Sequence, residues 1–414
     1  MSAVVRAGYK QTEVGVIPED WRVQTIGEMA IVRSGGTPSR EIQTYWNGAI
    51  PWITTSQIDF NTISEAEQFI TEDGLKNSAA KLLPAGTLLM ALYGQGKTRG
   101  KVGMLDFEAA TNQACASINL HANVLCKFLL HFLTSRYEAI RNSSNSGGQE
   151  NLSGQIVKDI PVVVPPLPEQ RAIATALSDV DALLAKLDAL IAKKRDLKVA
   201  TMQQLLTGQT RLPGFSGAWE VKRLGDVGLF LKGSGVRKDE SLSGHLSCIR
   251  YGEIYTRHND YIKVFNSWIS PQVALTSVQL KKGDLCFAGS GETKEEIGKC
   301  VAFVDDVEAY AGGDIVILRP NNSNSVFLGY YLNTKPINMQ KASRGQGDAV
   351  VHISATALST VIISVPDLKE QTAIAAVLSD MDTELTALEA RRDKTRALKQ
   401  GMMQALLTGS IRLV

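Results

Sequence analysis

Residues 168–208, PEQRAIATALSDVDALLAKLDALIAKKRDLKVATMQQLLTG, have a second copy 201 positions later, residues 369–409, KEQTAIAAVLSDMDTELTALEARRDKTRALKQGMMQALLTG. The copies align without a gap, and about 26 of the 48 positions counted from Pro165 and Pro366 are identical. An internal repeat of this kind sets the organisation of a chain, because everything else lies before or between its copies.

Each copy carries the start and end signals of one long helix. Pro168 suits a first helical turn, and Gly208 suits a helix end because glycine tolerates a positive φ. We therefore predict helices from Pro168 to about Thr207 and from Lys369 to about Thr408.

Apolar side chains recur along both helices at alternating spacings of four and three residues, which is the pattern of a coiled-coil seam. About 39 residues at a rise of ~1.5 Å per residue give a helix of roughly 58 Å, far longer than one domain of this size needs. We therefore favour antiparallel packing of the two copies on each other over packing of each helix on its own domain. Charged residues interrupt the seam near residues 194–198 and 392–399, which predicts a partner contact or a bend there. The seam residues are Ile173, Leu177, Val180, Leu184, Leu187 and Ile191 in the first copy and Ile374, Leu378, Met381, Leu385 and Leu388 in the second.

The segments that precede the two helices share a plan although their sequences differ. A Pro-to-Trp segment, an Ile-Gly or Leu-Gly pair, a short helix and a strand closed by proline follow one another in both. We predict an α+β fold with two pseudo-two-fold-related α/β domains, joined by two long helices that form an antiparallel coiled coil. The predicted boundaries are residues 1–165 for the first globular domain, 166–208 for the first helix, 209–365 for the second globular domain and 366–414 for the second helix.

Length and composition are those of an ordinary globular protein with more than one domain: 414 residues with a net charge of +2. This charge neither indicates nor excludes a polyanionic partner, because a basic patch can be balanced elsewhere. The five cysteines form no Cys-x-x-Cys pair and no metal-binding spacing, so we interpret them as reduced thiols of a cytoplasmic protein. Neither a signal peptide nor a run of ~18 apolar residues is visible, and no membrane contact is expected.

Two glycine-containing motifs resemble cofactor loops, but each lacks a necessary part. GKT at residues 96–98 resembles the end of a P-loop, whose first glycine would fall on Ala91. FAGSG at residues 287–291 resembles the first S-adenosylmethionine loop of methyltransferases, which also need an Asn or Asp before a Pro-Pro-aromatic motif. VPPL at residues 164–167 provides neither. The sequence therefore predicts no catalytic residue and no cofactor bound by this chain.

Glycine-rich basic loops are better candidates for binding. Glycine lets backbone approach a groove, Lys and Arg contact phosphates, and Gln or Arg can read base edges. Solvated turns remain the alternative interpretation. The candidate DNA-binding residues are Arg33, Ser34, Gly36, Thr37, Ser39, Arg40, Tyr93, Gln95, Lys97, Thr98, Arg99, Lys101 and Gln149 in the first half, and Lys232, Ser234, Arg237, Lys238, Ser290, Thr293, Lys294, Arg344 and Gln346 in the second.

Over essentially its whole length the chain resembles the specificity (S) subunit of type I restriction-modification systems. The motifs that carry this resemblance are KQTE at 10–13, IPEDW at 17–21, SGGTP at 34–38, PPLPEQ at 165–170 and LLTG at 205–208 and 406–409. The resemblance implies a non-catalytic subunit with two target recognition domains, each reading one half of an asymmetric bipartite DNA target. It implies helices that set the gap between the half-sites and dock two methyltransferase (M) subunits, which restriction (R) subunits join. S-adenosylmethionine would be bound by the M subunits.

Two other functions remain open at this point. A two-headed scaffold on a coiled-coil strut, whose ligands are proteins, would have the same repeat. A methyltransferase in its own right is a weaker alternative, because the Pro-Pro-aromatic motif is missing.

Overall fold

The structure, a computed structural model, describes residues 6–94, 96–121, 123–143, 151–347 and 350–413. Its contacts divide the chain into two compact units. Unit 1 comprises residues 1–188 and 390–414, and unit 2 comprises residues 189–389. Each unit therefore contains the first half of one long helix and the second half of the other.

Unit 1 consists of small sheets and short helices followed by the first long helix. Its strands are Tyr9–Thr12 (β1), Gly15–Pro18 (β2), Arg22–Thr25 (β3), Ala30–Ser34 (β4), Trp46–Ile53 (β5), Asn61–Ile63 (β6), Gln68–Ile70 (β7), Leu88–Ala91 (β8), Val102–Leu105 (β9), Ala110–Thr111 (β10), Cys115–Leu120 (β11) and Pro161–Val164 (β12). Its helices are Ile26–Met29 (α1), Glu72–Lys76 (α2), Cys126–Ser135 (α3), Tyr137–Asn142 (α4), Gly154–Lys158 (α5) and the long helix Leu167–Leu205 (α6), which continues into unit 2. The main sheet has the order β4-β11-β8-β9-β6, and β10-β5-β7 form a second sheet.

Unit 2 repeats this plan. Its strands are Glu220–Arg223 (β13), Gly228–Lys232 (β14), Leu246–Ile249 (β15), Ser267–Ile269 (β16), Val278–Gln279 (β17), Leu285–Ala288 (β18), Ser290–Gly291 (β19), Cys300–Ala302 (β20), Ala309–Ala311 (β21), Ile315–Pro320 (β22), Val351–His352 (β23) and Ile362–Val365 (β24). Its helices are Tyr251–Thr256 (α7), Pro271–Ala274 (α8), Ser325–Tyr331 (α9), Lys335–Ala342 (α10), Ala355–Ser359 (α11) and the long helix Leu368–Leu406 (α12), which continues into unit 1. The main sheet order β14-β22-β18-β20 corresponds to β4-β11-β8-β9 of unit 1.

The central strands are apolar at consecutive positions, because both faces of each main sheet are covered. Successive side chains of a strand point to opposite faces. Alternate residues of β8 accordingly enter one core cluster with Phe128 and Ile173, and the others enter a second cluster with Ile53. β18 divides its side chains in the same way between two clusters of unit 2. The long helices supply part of one layer in each unit.

In both units the long helices pack antiparallel, as the seam predicts. In unit 1, Lys399 Nζ lies 2.5 Å from Asp181 Oδ1 and Arg396 Nη2 lies 3.2 Å from Asp188 Oδ2. Residue numbers therefore decrease along α12 in the direction in which they increase along α6, so the two helices are antiparallel. The same direction holds in unit 2 for the pairs Lys198–Asp382 and Lys194–Glu384, each at 2.7 Å. Every predicted seam residue is buried or half-buried.

The interruptions of the seam have an internal explanation. Both long helices run through these positions without a break. Lys198 and Lys399 pair with aspartates of the facing helix in their own units, and the partner contact expected near these positions stays a prediction. A polar position inside an apolar seam is known to fix the register of paired helices, which is the role that we assign to these lysines.

A third side chain from a short helix completes each of these ion pairs. In unit 1, His131 of α3 lies with Nδ1 3.9 Å from Asp181 Oδ2 and Nε2 3.2 Å from the hydroxyl of Ser178. In unit 2, Tyr330 of α9 donates a hydrogen bond of 2.5 Å to Asp382. These polar junctions tie each globular domain to both long helices.

We expect the stability of unit 1 to fall as the pH decreases from about 6.5 to 4, because of His131. Burial lowers the pKa of His131 from 6.5 to about 4, against the opposing effect of Asp181, while Lys399 and Lys127 lower the pKa further. The unfolded chain therefore binds more protons in this range, so the contribution is complete above pH 6.5 and is lost toward pH 4. The loss should be about 2–3 kcal/mol.

Urea unfolding of wild type and His131→Gln at pH 7.5 and 5 checks this prediction, with the exposed His245→Gln as the matched control. The pH dependence should flatten only in His131→Gln. Equal pH dependence in all three proteins would contradict it.

The C-terminal tail closes onto the N-terminal segment within unit 1. Tyr9 donates a hydrogen bond of 2.8 Å to the Gly409 carbonyl, and Arg412 forms a two-pronged pair with Glu169 at 2.6 and 2.7 Å. Gly409 has φ +71°, and a side chain there would meet Pro18 at 2.5 Å. The guanidinium of Arg412 also hydrogen-bonds Asp20, which lowers the pKa of that carboxyl below 3.8.

Unit 2 contains the same arrangement at the end of α6, where the chain runs directly into the second globular domain. Gly208, also at φ +71°, packs on the Trp219 ring, and Arg211 pairs with the buried Glu370. The contacts between the end of α12 and the first segment of unit 1 therefore repeat those between the end of α6 and the first segment of the second globular domain.

Candidate nucleic-acid interface

In unit 1, strand register brings the predicted loops together at one edge of the main sheet. Ser34 at the end of β4 pairs with Ala116 near the start of β11, and Ala91 at the end of β8 pairs with Cys115. The loops after β4 and β8 and before β11 consequently emerge side by side. The amide of Gly36 donates to the Thr111 carbonyl at 2.8 Å and ties two of these loops together.

In unit 2 the equivalent edge gathers the equivalent loops. Lys232 at the end of β14 pairs with Val316, and Ala288 at the end of β18 pairs with Ile315. The Ile353 amide donates to the Gly289 carbonyl at 2.9 Å, which places the loop that follows α10 beside the end of β18. Both units thus present a cluster of loops built on the same strand ends.

Most candidate residues of unit 1 reach solvent at this edge. Arg33, Ser34, Ser39, Arg40, Tyr93 and Lys97 are exposed, and Thr37, Thr98 and Lys101 are half-buried. Lys101 is already engaged by Asp59, with 2.6 Å between Nζ and Oδ1. Gln95 and Gln149 lie outside the described residues.

Gly36 and Arg99 do not present a side chain to solvent. A Cβ at Gly36 would lie 2.2 Å from the Ala80 nitrogen, so glycine is required for close backbone packing. Arg99 is 4% exposed and belongs to the interior of unit 1. Their predicted role as DNA contacts is therefore replaced by a structural one.

In unit 2, Lys232, Arg237, Lys238, Thr293, Lys294 and Gln346 are exposed, and Ser234 is half-buried. Ser290 and the half-buried Arg344 are instead engaged by residues of their own unit. The Ser290 hydroxyl is buried and lies 2.8 Å from Nδ1 of His352. All three nitrogens of the Arg344 guanidinium donate to Gln340, Ser343 or Thr360, so this side chain fastens α10 to α11.

Sequence reasoning missed a buried lysine beneath the unit 2 loops. Lys341 has no exposed surface, and its Nζ donates to the carbonyls of Gly298 and Leu332 at 2.7 and 2.8 Å. Burial lowers the pKa of Lys341 to about 8. In unit 1, Gly100 packs on Ile140 at the corresponding place. From sequence alone, a lysine in a polar helix cannot be recognised as a buried residue that links two backbone carbonyls rather than a surface residue.

The described residues contain no cluster of His, Cys, Asp and Glu that could hold a metal ion. Burial raises the pKa of Cys115 and Cys300 to about 12, which keeps these thiols protonated at neutral pH. Within the same residues, no helix combines the length and apolar character that crossing a membrane requires.

Comparison with known proteins agrees with this architecture. The family model for the type I restriction modification DNA specificity domain matches residues 18–193 and again residues 217–396. The MjaIX specificity subunit of Methanocaldococcus jannaschii is 29% identical over 53% of this chain and 54% of its own length. The EcoR124I/EcoR124II subunit of Escherichia coli is 29% identical over 42% of this chain and 43% of its own length. The chain thus spans about half the length of these two relatives, whereas MjaVIII matches over 96% and 94% at 22% identity.

Solved structures show the same fold. The S subunit of a type I restriction-modification system from M. genitalium has a TM-score of 0.59 at 16% identity and covers 93% of this chain and 96% of its own. A chain from a study of type I R-M complex assembly has a TM-score of 0.56 at 17% identity, with coverages of 95% and 99%. Both copies of the family model and the doubled loop-bearing sheets define a protein with two DNA specificity domains. The chain belongs to the type I restriction-modification DNA specificity family.

Proposed function

We propose that this chain is the non-catalytic specificity subunit of a type I restriction-modification complex and that it acts in the cytoplasm. Each unit binds one half of an asymmetric bipartite target in double-stranded DNA through its loop cluster. Two M subunits, which bind S-adenosylmethionine, methylate adenine at the positioned target, and R subunits join for cleavage.

The observation that carries the proposal is the doubled loop cluster on equivalent strand ends. The exposed cations of unit 1, Arg33, Arg40 and Lys97, suit phosphates and base edges. Lys232, Arg237 and Lys238 supply the same chemistry in unit 2. The two clusters differ in sequence while the long helices are alike, as expected for two readers of different half-sites on one common support.

We expect methylome sequencing of a host with this chain and its M partner to give one split motif. Replacing residues 10–165 by those of another family member should change only one half of that motif. A change in both halves would contradict independent reading.

Methyl transfer by the purified chain alone would contradict a non-catalytic role. A duplex-binding titration with a steep salt dependence separates this function from a protein-binding scaffold, because phosphate contacts release counterions.

A further inference from the structure

We propose that Arg40 and Gln68 form a guanine-reading pair in unit 1, in which Arg40 contacts the base and Gln68 positions Arg40. The proposal rests on the proposed function, because it assumes that the unit 1 loop cluster faces DNA. It adds a named base, a positioning residue and an asymmetry between the two units.

The guanidinium of Arg40 is held from two sides. Its Cζ lies 3.6 Å from the centroid of the Trp46 ring and 5.3 Å from that of Trp52. Its Nη2 donates a hydrogen bond of 2.7 Å to Oε1 of Gln68. Stacking on an indole and a fixed acceptor restrict a side chain that would otherwise lose much rotamer freedom on binding.

The loop that carries Arg40 is fixed as well. The indole nitrogen of Trp52, a side chain only 2% exposed, donates to the Gly36 carbonyl at 2.9 Å. The indole nitrogen of Trp46 donates to the Ser39 carbonyl at 3.0 Å. The backbone on the N-terminal side of Arg40 is therefore attached to β5, and β5 is part of a core cluster of unit 1.

The remaining donors of Arg40 suit a guanine. A guanidinium has five N–H groups, and Gln68 accepts from one of them. Among the described residues no carboxylate forms an ion pair with Arg40, while its side chain is exposed. Two parallel N–H groups match the O6 and N7 acceptors that guanine presents in the major groove. A phosphate could accept the same donors, so the experiment must distinguish base from backbone.

Unit 2 lacks this arrangement at the corresponding place. Ile53 of β5 and Ile249 of β15 are equivalent, because the carbonyl of each accepts a hydrogen bond from the residue that follows the parallel neighbouring strand. Counted back from these two residues, Cys248 takes the place of Trp52 and Leu242 takes the place of Trp46. Ser267, which pairs with Cys248, takes the place of Gln68, which pairs with Trp52. Without the two indoles and the amide, unit 2 cannot hold a guanidinium as unit 1 holds Arg40. The effect of losing the pair should accordingly be confined to one half of the target.

The experiment uses the full chain with its M partner and the split motif of the wild type. Duplexes that carry each base at every motif position are titrated against wild type, Arg40→Lys and Gln68→Ala at two salt concentrations. Arg171→Lys, on an exposed arginine of α6, is the matched control. Arg40→Lys keeps the charge but removes the planar fork, so a simple loss of phosphate attraction is excluded.

In Arg40→Lys, discrimination at one G·C position should fall about 10- to 100-fold, in the half of the motif that changes when residues 10–165 are swapped. Gln68→Ala should lower discrimination at that same position by a smaller factor and leave the salt slope unchanged. Equal weakening on all sequences, a lost position in the other half or an unchanged motif would each overturn the proposal. If the wild type yields no split motif, the proposed function itself fails, which is a different result.

Discussion

Asp382→Ala should destabilise unit 2 by about 3–4 kcal/mol, whereas Asp181→Ala should cost unit 1 about 1 kcal/mol or less. Both substitutions remove the carboxylate that pairs with a lysine of the facing long helix. The difference arises from burial, since the side chain of Asp382 is 14% exposed and that of Asp181 is 42% exposed. Solvent can replace the lost partner only in unit 1.

The partners of Asp382 explain why its loss is costly. Lys198, 14% exposed, would be left as a partly buried cation, and the hydroxyl of the buried Tyr330 would lose its acceptor. Asp260 could take over part of the interaction, because its carboxylate lies 3.9 Å from Lys198 Nζ. Removing one member of a buried pair leaves an uncompensated charge, and this penalty exceeds the net contribution of the intact pair.

Hydrogen exchange resolved by peptide in increasing urea measures each unit separately, with α9 reporting on unit 2 and α3 on unit 1. Asp382→Asn is the control for shape, since the amide oxygen can still accept from Tyr330. It should lose less stability than Asp382→Ala. Equal effects of the alanine substitutions at Asp181 and Asp382 would show that burial does not decide the strength of these junctions.

The long helices were predictable because their information is local. A seam with four-three spacing and a glycine after Leu-Leu-Thr identify a helix from its own residues, and the observed ends at Leu205 and Leu406 lie within two residues of the prediction. The role of Lys198 was not predictable in this way. Its partner Asp382 lies 184 residues away, so the sequence showed a gap in the seam where the structure has a polar junction.

The loops themselves could also be recognised from sequence, because turns rich in Gly, Ser and Lys separate the short apolar strands. Side-chain directions within the loops could not. Arg99 and Arg344 have the residue type of a DNA contact, but Arg99 is buried and the guanidinium of Arg344 is already bonded to Thr360. Conversely, Trp46 and Gln68 lie on strands and are brought to Arg40 only by the register of β5 with β7.

Arg412→Met should destabilise unit 1 by roughly 2–3 kcal/mol, because it leaves the carboxylate of Glu169 buried without its cation. The side chain of Glu169 is 4% exposed and also accepts a hydrogen bond of 2.9 Å from the indole of Trp21. Arg412 itself is 27% exposed, so solvent screens part of its contribution and the expected loss is smaller than for a fully buried pair.

A second substitution distinguishes the effect of an unpaired buried carboxylate at Glu169 from the effect of lost packing in the tail. In Arg412→Met combined with Glu169→Gln the buried charge is absent, while the amide oxygen still accepts from Trp21. This double variant should recover more than half of the loss in urea unfolding at pH 7, with Arg171→Met as the control on an exposed arginine. A double variant as unstable as Arg412→Met would instead show that the loss comes from the packing of the Arg412 guanidinium over the Trp21 ring.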